Sequence, residues 1–199
     1  MNNNTKGLIT LIVLAAIVVF VIVYALSMEP PGTKQYITGA GSFEIQKLKN
    51  DIGYRIKIYV NNNPYYITTR YAPDDVKDIA VEGSLKSYIL SKNQTFITID
   101  PYEGLKGKAT IAALEIDKIL DNKFLFNMPV NSAFTVPFNE APVKTCSDAD
   151  EATNVFLLKL GEANRPYRNK DCIIFEGETE DNLIKLADRF VFHLLGILP

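Results

Sequence analysis

The sequence predicts an α/β protein: a single N-terminal transmembrane helix, then one extracytoplasmic domain whose mixed sheet joins an antiparallel hairpin to a βαβ unit and carries packed helices. Three observations predict it. Residues 8–28, LITLIVLAAIVVFVIVYALSM, hold no charged side chain and at about 1.5 Å per residue reach roughly 30 Å, the hydrocarbon thickness of a bilayer. Residues 54–71 alternate apolar and polar side chains about Asn61-Asn62-Asn63. Residues 95–136 then read as strand, helix and strand at the spacing of a parallel crossover.

The first element is the span. Lys6 and the amino terminus precede it and Glu29 follows, so the positive-inside tendency puts residues 1–7 in the cytoplasm and the rest of the chain outside. A secretory signal has an apolar middle of only about 7–15 residues, so the run is expected to stay as an uncleaved anchor. Lys6-Gly7-Leu8-Ile9 resembles the processing site of archaeal type IV pilin precursors, over about the first thirty residues. That resemblance implies cleavage after Gly7 and a helix that packs a filament core instead of a bilayer. Residues 29–34, with Pro30-Pro31-Gly32, form a linker, and residues 35–199 suffice for one domain with its own core.

Within the domain, Phe43 and Ile45 alternate with Glu44 and Gln46, and Tyr54, Ile56, Ile58 and Val60 alternate with Arg55, Lys57 and Tyr59. The asparagine turn returns the chain through residues 64–71, giving a tyrosine-rich hairpin. Short helices follow over residues 74–82 and 84–90, on either side of Gly83. A strand over 95–99, a helix over 108–121 and a strand over 130–136 form the βαβ unit. Strands over 155–160 and 172–175 flank an irregular polar loop through Asn164, Pro166 and Asn169. The closing helix has Thr179 as N-cap, Glu180 and Asp181 in its first turn and Gly196 as terminator. Leu183, Ile184, Leu186, Ala187, Phe190, Val191, Leu194 and Leu195 make its apolar face, and Asn182, Lys185, Asp188 and Arg189 its polar one.

The chemistry on offer is sparse. The chain has 21 basic and 23 acidic side chains, a net charge of −2, and no concentrated basic stretch of the kind nucleic acid requires. Its single histidine, His193, sits at the margin of the closing helix's two faces and excludes a multi-histidine metal site within one chain. Residues 104–110 join a strand to a helix through Gly107-Lys108, yet a phosphate-binding loop needs glycine where Tyr102 stands and Ser or Thr where Ala109 stands. Backbone amides at that helix start remain able to hold an anion. Gly39-Ala40-Gly41 precedes a strand instead of a helix.

No catalytic, cofactor-binding or metal residue is assigned. Asp148, Asp150 and Glu151 are the nearest approach to a calcium site, without EF-hand spacing. The run Glu176, Glu178, Glu180 and Asp181 reads as an acid-rich helix start. Cys146 and Cys172, outside the membrane, are expected to form a disulfide worth about 3–4 kcal/mol by loop-closure entropy. Asn93-Gln94-Thr95 is a glycosylation sequon on the outer side. Ala109, Ala112, Ala113, Ile116, Ile119 and Leu120 share one face of the central helix, while Ile111 and Leu114 point the other way and need cover, from the same domain or from a partner.

These readings describe a non-enzymatic, membrane-anchored binding or assembly component of the cell envelope, held in lipid through residues 8–28 and engaging a protein partner or a second copy. The alternatives are a membrane-tethered hydrolase whose residues converge only in the fold, and a pilin-like filament subunit.

Overall fold

A computed structural model describes residues 3–27, 32–38, 41–49 and 52–199, with the side chains of the first helix described over residues 12–25. Residues 1–2 of the expected cytoplasmic segment, residue 28 of the expected span, residues 29–31 of the linker and Gly39-Ala40 lie outside the described residues, as do the side chains of Lys6 and Leu8. The chain divides into two compact units, 1–33 and 34–199. The first contains α1 (Asn3–Ser27), a helix of 25 residues whose large apolar side chains from Ile12 to Tyr24 are all exposed. Among the described residues no helix is long and apolar enough to cross a membrane, and the run expected to do so extends past the described side chains at both ends.

The second unit is mixed α/β with two sheets where one was expected. The first sheet is an antiparallel meander of β1 (Thr33–Thr38), β2 (Gly41–Lys47), β3 (Tyr54–Val60) and β4 (Asn63–Thr69). The β3–β4 hairpin pairs Val60 with Asn63 and Ile56 with Ile67, and Asn61 and Asn62 make its two-residue turn with φ of 51° and 65°. Positive φ at both central positions is the twist a tight hairpin wants, and asparagine tolerates it. Gly53, at φ 136°, lets the β2–β3 connection pass against the Thr69 carbonyl, where a Cβ would collide.

The second sheet has strand order β6-β5-β7-β9-β8, from β5 (Gln94–Ile99), β6 (Val130–Phe134), β7 (Thr153–Leu160), β8 (Arg165–Asn169) and β9 (Cys172–Gly177). β5 pairs in parallel with both β6 and β7, β7 pairs in parallel with β9, and β8 alone is antiparallel. The expected βαβ unit is present, with α4 (Gly107–Leu120) between β5 and β6.

The two sheets separate because their residues differ. β3 and β4 bury Ile56, Ile58 and Ile67 on one side and expose Tyr59 and Tyr66 on the other, as an antiparallel sheet with one wet face does. β7 and β9 run nearly continuously buried, as inner strands of a parallel sheet do. Between the sheets lie α4 and α5 (Glu180–Leu195). Phe190 of α5 meets Phe156 of β7 at 5.7 Å and Phe175 of β9 at 5.2 Å, both edge-to-face. On the other side, Phe43, Ile45, Ile56, Ile58 and Ile67 join the same core.

This sandwiching overturns the expected polar face of α5: Asp188 is 0 % and Arg189 4 % exposed. A helix between two sheets has no solvent side, so its polar residues survive only by finding internal partners. Arg189 donates from Nε to the Ile79 carbonyl at 2.9 Å and from Nη2 to the Pro199 carbonyl. The Ile79 carbonyl, once engaged by Arg189, is not part of a helical ladder, and the helix expected over 74–82 shrinks to α2 (Pro73–Val76). The second short helix is α3 (Leu85–Leu90).

The polar loop expected around Pro166 is instead strand β8, hairpinned to β9 through Lys170 at φ 55°. Proline is tolerated there because β8 is an edge strand, which leaves half its amides without a ladder partner. Thr179 and Gly196 cap α5 as expected: Thr179 Oγ1 accepts the Asn182 amide at 3.2 Å, and Gly196 is left-handed at φ 73°.

Candidate functional site

Open parallel sheets bind ligands beyond the carboxyl ends of their strands, at the point where successive connections leave in opposite directions. Here that point lies between β5 and β7, and α4 starts beside it. The chain closes it with its own carboxylate. Glu180 Oε1 accepts the backbone amides of Lys106 at 2.6 Å and Ala109 at 3.0 Å, and Lys108 Nζ pairs with Asp181 Oδ2 at 2.6 Å. The anion that these amides are able to hold is therefore supplied intramolecularly, by Glu180 in the first turn of α5.

The other acidic candidates have local tasks. Asp148 Oδ2 accepts the Thr145 amide at 2.7 Å and its hydroxyl at 3.0 Å, which holds the carboxyl below its ordinary range. Asp150 Oδ1 accepts the amides of Ala152 at 2.8 Å and Thr153 at 2.7 Å, with the same consequence. Glu151 is exposed. Among the described residues no group of three His, Cys, Asp or Glu side chains is placed to hold a metal. Glu176 is tied to Tyr167 at 2.7 Å and Lys159 at 3.1 Å, and its hydrogen bonds lower its pKa while Tyr167 is pushed up to about 12.

Cys146, in a 3-10 turn (Cys146–Asp148), is bonded to Cys172 at the start of β9, with S–S 2.06 Å. The bridge ties this turn to the outer face of the second sheet, where Val155 and Ile174 are buried beneath it. Asn93 is exposed at the start of β5, whereas Thr95 is fully buried, its hydroxyl against Met128 Sδ at 3.0 Å. Ile111 packs against the domain's own core, while Leu114 stays 56 % exposed. The two do not form one open apolar patch.

Two buried groups escaped the sequence reading. Asp188 Oδ2 accepts the backbone amides of Arg70 at 2.9 Å and Tyr71 at 2.8 Å. Its Oδ1 meets no donor and lies against Glu115, whose own oxygens face Arg70 Nε at 3.5 Å and the Lys118 ammonium. Burial, then the Glu115 charge, raises Asp188 well above the usual carboxylate range. The raised pKa favours a protonated Asp188, the form that burial beside another carboxyl costs least. His193 is 7 % exposed; burial, then the charges of Arg189 and Lys86, lower its pKa. Both groups are enclosed, so neither addresses a substrate, and the signal that could have found them is the placement of charged residues on a helix flanked by two sheets.

Among the described residues, one open cleft of about 550 Å³ lies between the first sheet and the end of α5, and another of about 470 Å³ is lined by Tyr54, Arg70, Asp75 and Lys185. Phe43, Ile58 and Leu194 are the buried floor of the first; Tyr59, Asn61 and Phe124 stand exposed at its rim; Lys86 of α3 is its cation. A neighbouring cavity of about 260 Å³ shares Val60, Asn61 and Phe124 and runs on beneath Tyr65. Phe124 is braced on Tyr65, ring centroids 5.8 Å apart, and Tyr65 in turn accepts a hydrogen bond from Asn122 at 2.7 Å. The volume lies within the roughly 300–1,000 Å³ of small-molecule sites.

The described surface of this α/β domain thus combines a capped helix start at the carboxyl end of the parallel strands with an open cleft of mixed polar and apolar lining. No family model matches the chain, no curated protein is similar to it, and no solved structure matches it.

Proposed function

We propose that this chain is a membrane-anchored component of the cell envelope whose extracytoplasmic α/β domain binds a ligand without transforming it. The cleft between the first sheet and the end of α5 carries the reading: it combines apolar and polar lining in similar measure, and among the described residues no carboxylate, histidine or thiol lines it. The anchor is supported by the uncharged run at residues 8–28 and by a 25-residue helix whose described apolar side chains lie exposed. The outside location is supported by the flanking charges and by the Cys146–Cys172 bond, a linkage that persists in oxidising surroundings.

Fractionation of cells expressing the chain tests the anchor and its direction together. The full-length protein is expected in membranes after alkaline washing, with residues 35–199 cut by protease added outside intact cells. Recovery in the soluble fraction, or protection of the domain until the cells are lysed, refutes the reading. The exposed apolar helix also suits a pilin-like subunit, because Lys6-Gly7 stands directly before it. Sequencing the mature N-terminus separates the two: a start at Leu8 replaces the anchor with a filament core.

A further inference from the structure

We infer that the cleft takes a single-chain amphiphile with a carboxylate head, its acyl chain laid against Val60, Phe124 and Leu195 and its head against the Lys86 ammonium. This rests on the binding role proposed above and names the ligand for it. The shape argues for a chain: the main cleft and a second cavity adjoin along Val60, Asn61 and Phe124, so the space on either side of these residues is longer than a compact ligand needs. The charge argues for an anion. Among the described residues Lys86 is the lining's single cation and no Asp or Glu lines either cavity. Among the described residues Lys86 has no ion-pair partner; its ammonium lies 5.9 Å from the Phe126 ring centroid. A lone ammonium matches a monoanion, and no arginine fork of the kind that favours phosphate is among the described lining residues. Lys86 also acts on His193, so an anion at Lys86 relieves a repulsion felt by the chain's only histidine.

The test uses the full-length protein in zwitterionic nanodiscs and a diazirine-bearing dodecanoate, with labelled peptides mapped by mass spectrometry. Saturable labelling of peptides containing Phe124 and Leu194 is expected, displaced by excess dodecanoate and not by dodecanol or dodecyl phosphate at equal concentration. Lys86→Gln is expected to weaken it about tenfold without moving the labelled positions. Val60→Trp, which fills the junction of the two cavities, abolishes it. In the same nanodiscs dodecanoate raises the His193 pKa read by carbon-13 NMR, and dodecanol does not. Displacement by dodecanol as effective as by dodecanoate overturns the carboxylate preference while leaving a binding cleft. Better displacement by dodecyl phosphate identifies a phosphate-headed ligand and likewise overturns it. Cleft peptides crosslinked to a second copy of the chain, or labelling confined to residues 3–27, overturn ligand binding in the cleft altogether.

Discussion

At the scale of single residues, Asp188 is the most constrained group in the domain. One of its oxygens satisfies two backbone amides just after β4, and the other is buried beside Glu115, which with burial raises its pKa. Asp188→Asn keeps an acceptor for both amides without a charge, and is expected to fold with stability at pH 7 equal to or above wild type. Asp188→Ala strands the two amides, and is expected to cost about 2–3 kcal/mol. Chemical denaturation of both variants checks the pair; equal destabilisation by the two refutes the cost assigned to the buried charge. Neither residue announces this in the sequence. Asp188 falls among Asn182, Lys185 and Arg189 at the spacing of a wet helical face, and only the first sheet, more than a hundred residues away in the chain, turns the Asp188 position inward.

At the scale of elements, α4 and α5 are fastened by a cap that crosses from one to the other. Because Glu180 ends the amide donors of α4, Glu180→Ala is expected to cost about 1–2 kcal/mol and to speed hydrogen exchange at Lys106 and Ala109, while Glu180→Gln recovers part of the loss. Unchanged exchange at both amides shows that the carboxylate is dispensable. The Cys146–Cys172 bond closes a sequence separation of 26, and its reduction is expected to lower stability by about 3 kcal/mol, measured by denaturation with and without reductant.

The elements most legible in sequence were those whose signal is local: the hairpin on its asparagine turn, α4 on its 3.6-residue repeat, α5 on its two caps. β8 was missed because an edge strand of Arg-Pro-Tyr-Arg-Asn has no apolar alternation to show. The cleft was illegible for another reason: its lining comes from β2, β3, α3, the loop after α4 and the end of α5, and nothing in any one stretch marks the others as neighbours.

At the scale of the whole molecule, two buried titrations pull stability in opposite directions. His193 has a folded pKa below the ordinary value of about 6.5, so its contribution is present above that value and is lost as pH falls towards the folded pKa. Asp188 has a folded pKa above the ordinary value of about 3.9, so its contribution is complete at low pH and is lost as pH rises through the folded pKa. Denaturation curves of wild type and Asp188→Asn from pH 5 to 9 measure the Asp188 contribution: the difference between them is expected to move in the variant's favour as pH rises. A difference that moves the other way rules out a raised Asp188 pKa.

The Glu180 cap also imposes an order of assembly. The first strand and helix of the parallel unit, residues 94–120, leave the ribosome long before residue 180, and until then the amides of Lys106 and Ala109 have only water to bind. A nascent chain thus holds an open anion-binding helix start that α5 shuts. Emergence of residue 180, more than formation of any single sheet, is the event that converts this region from a receptive surface into a closed one.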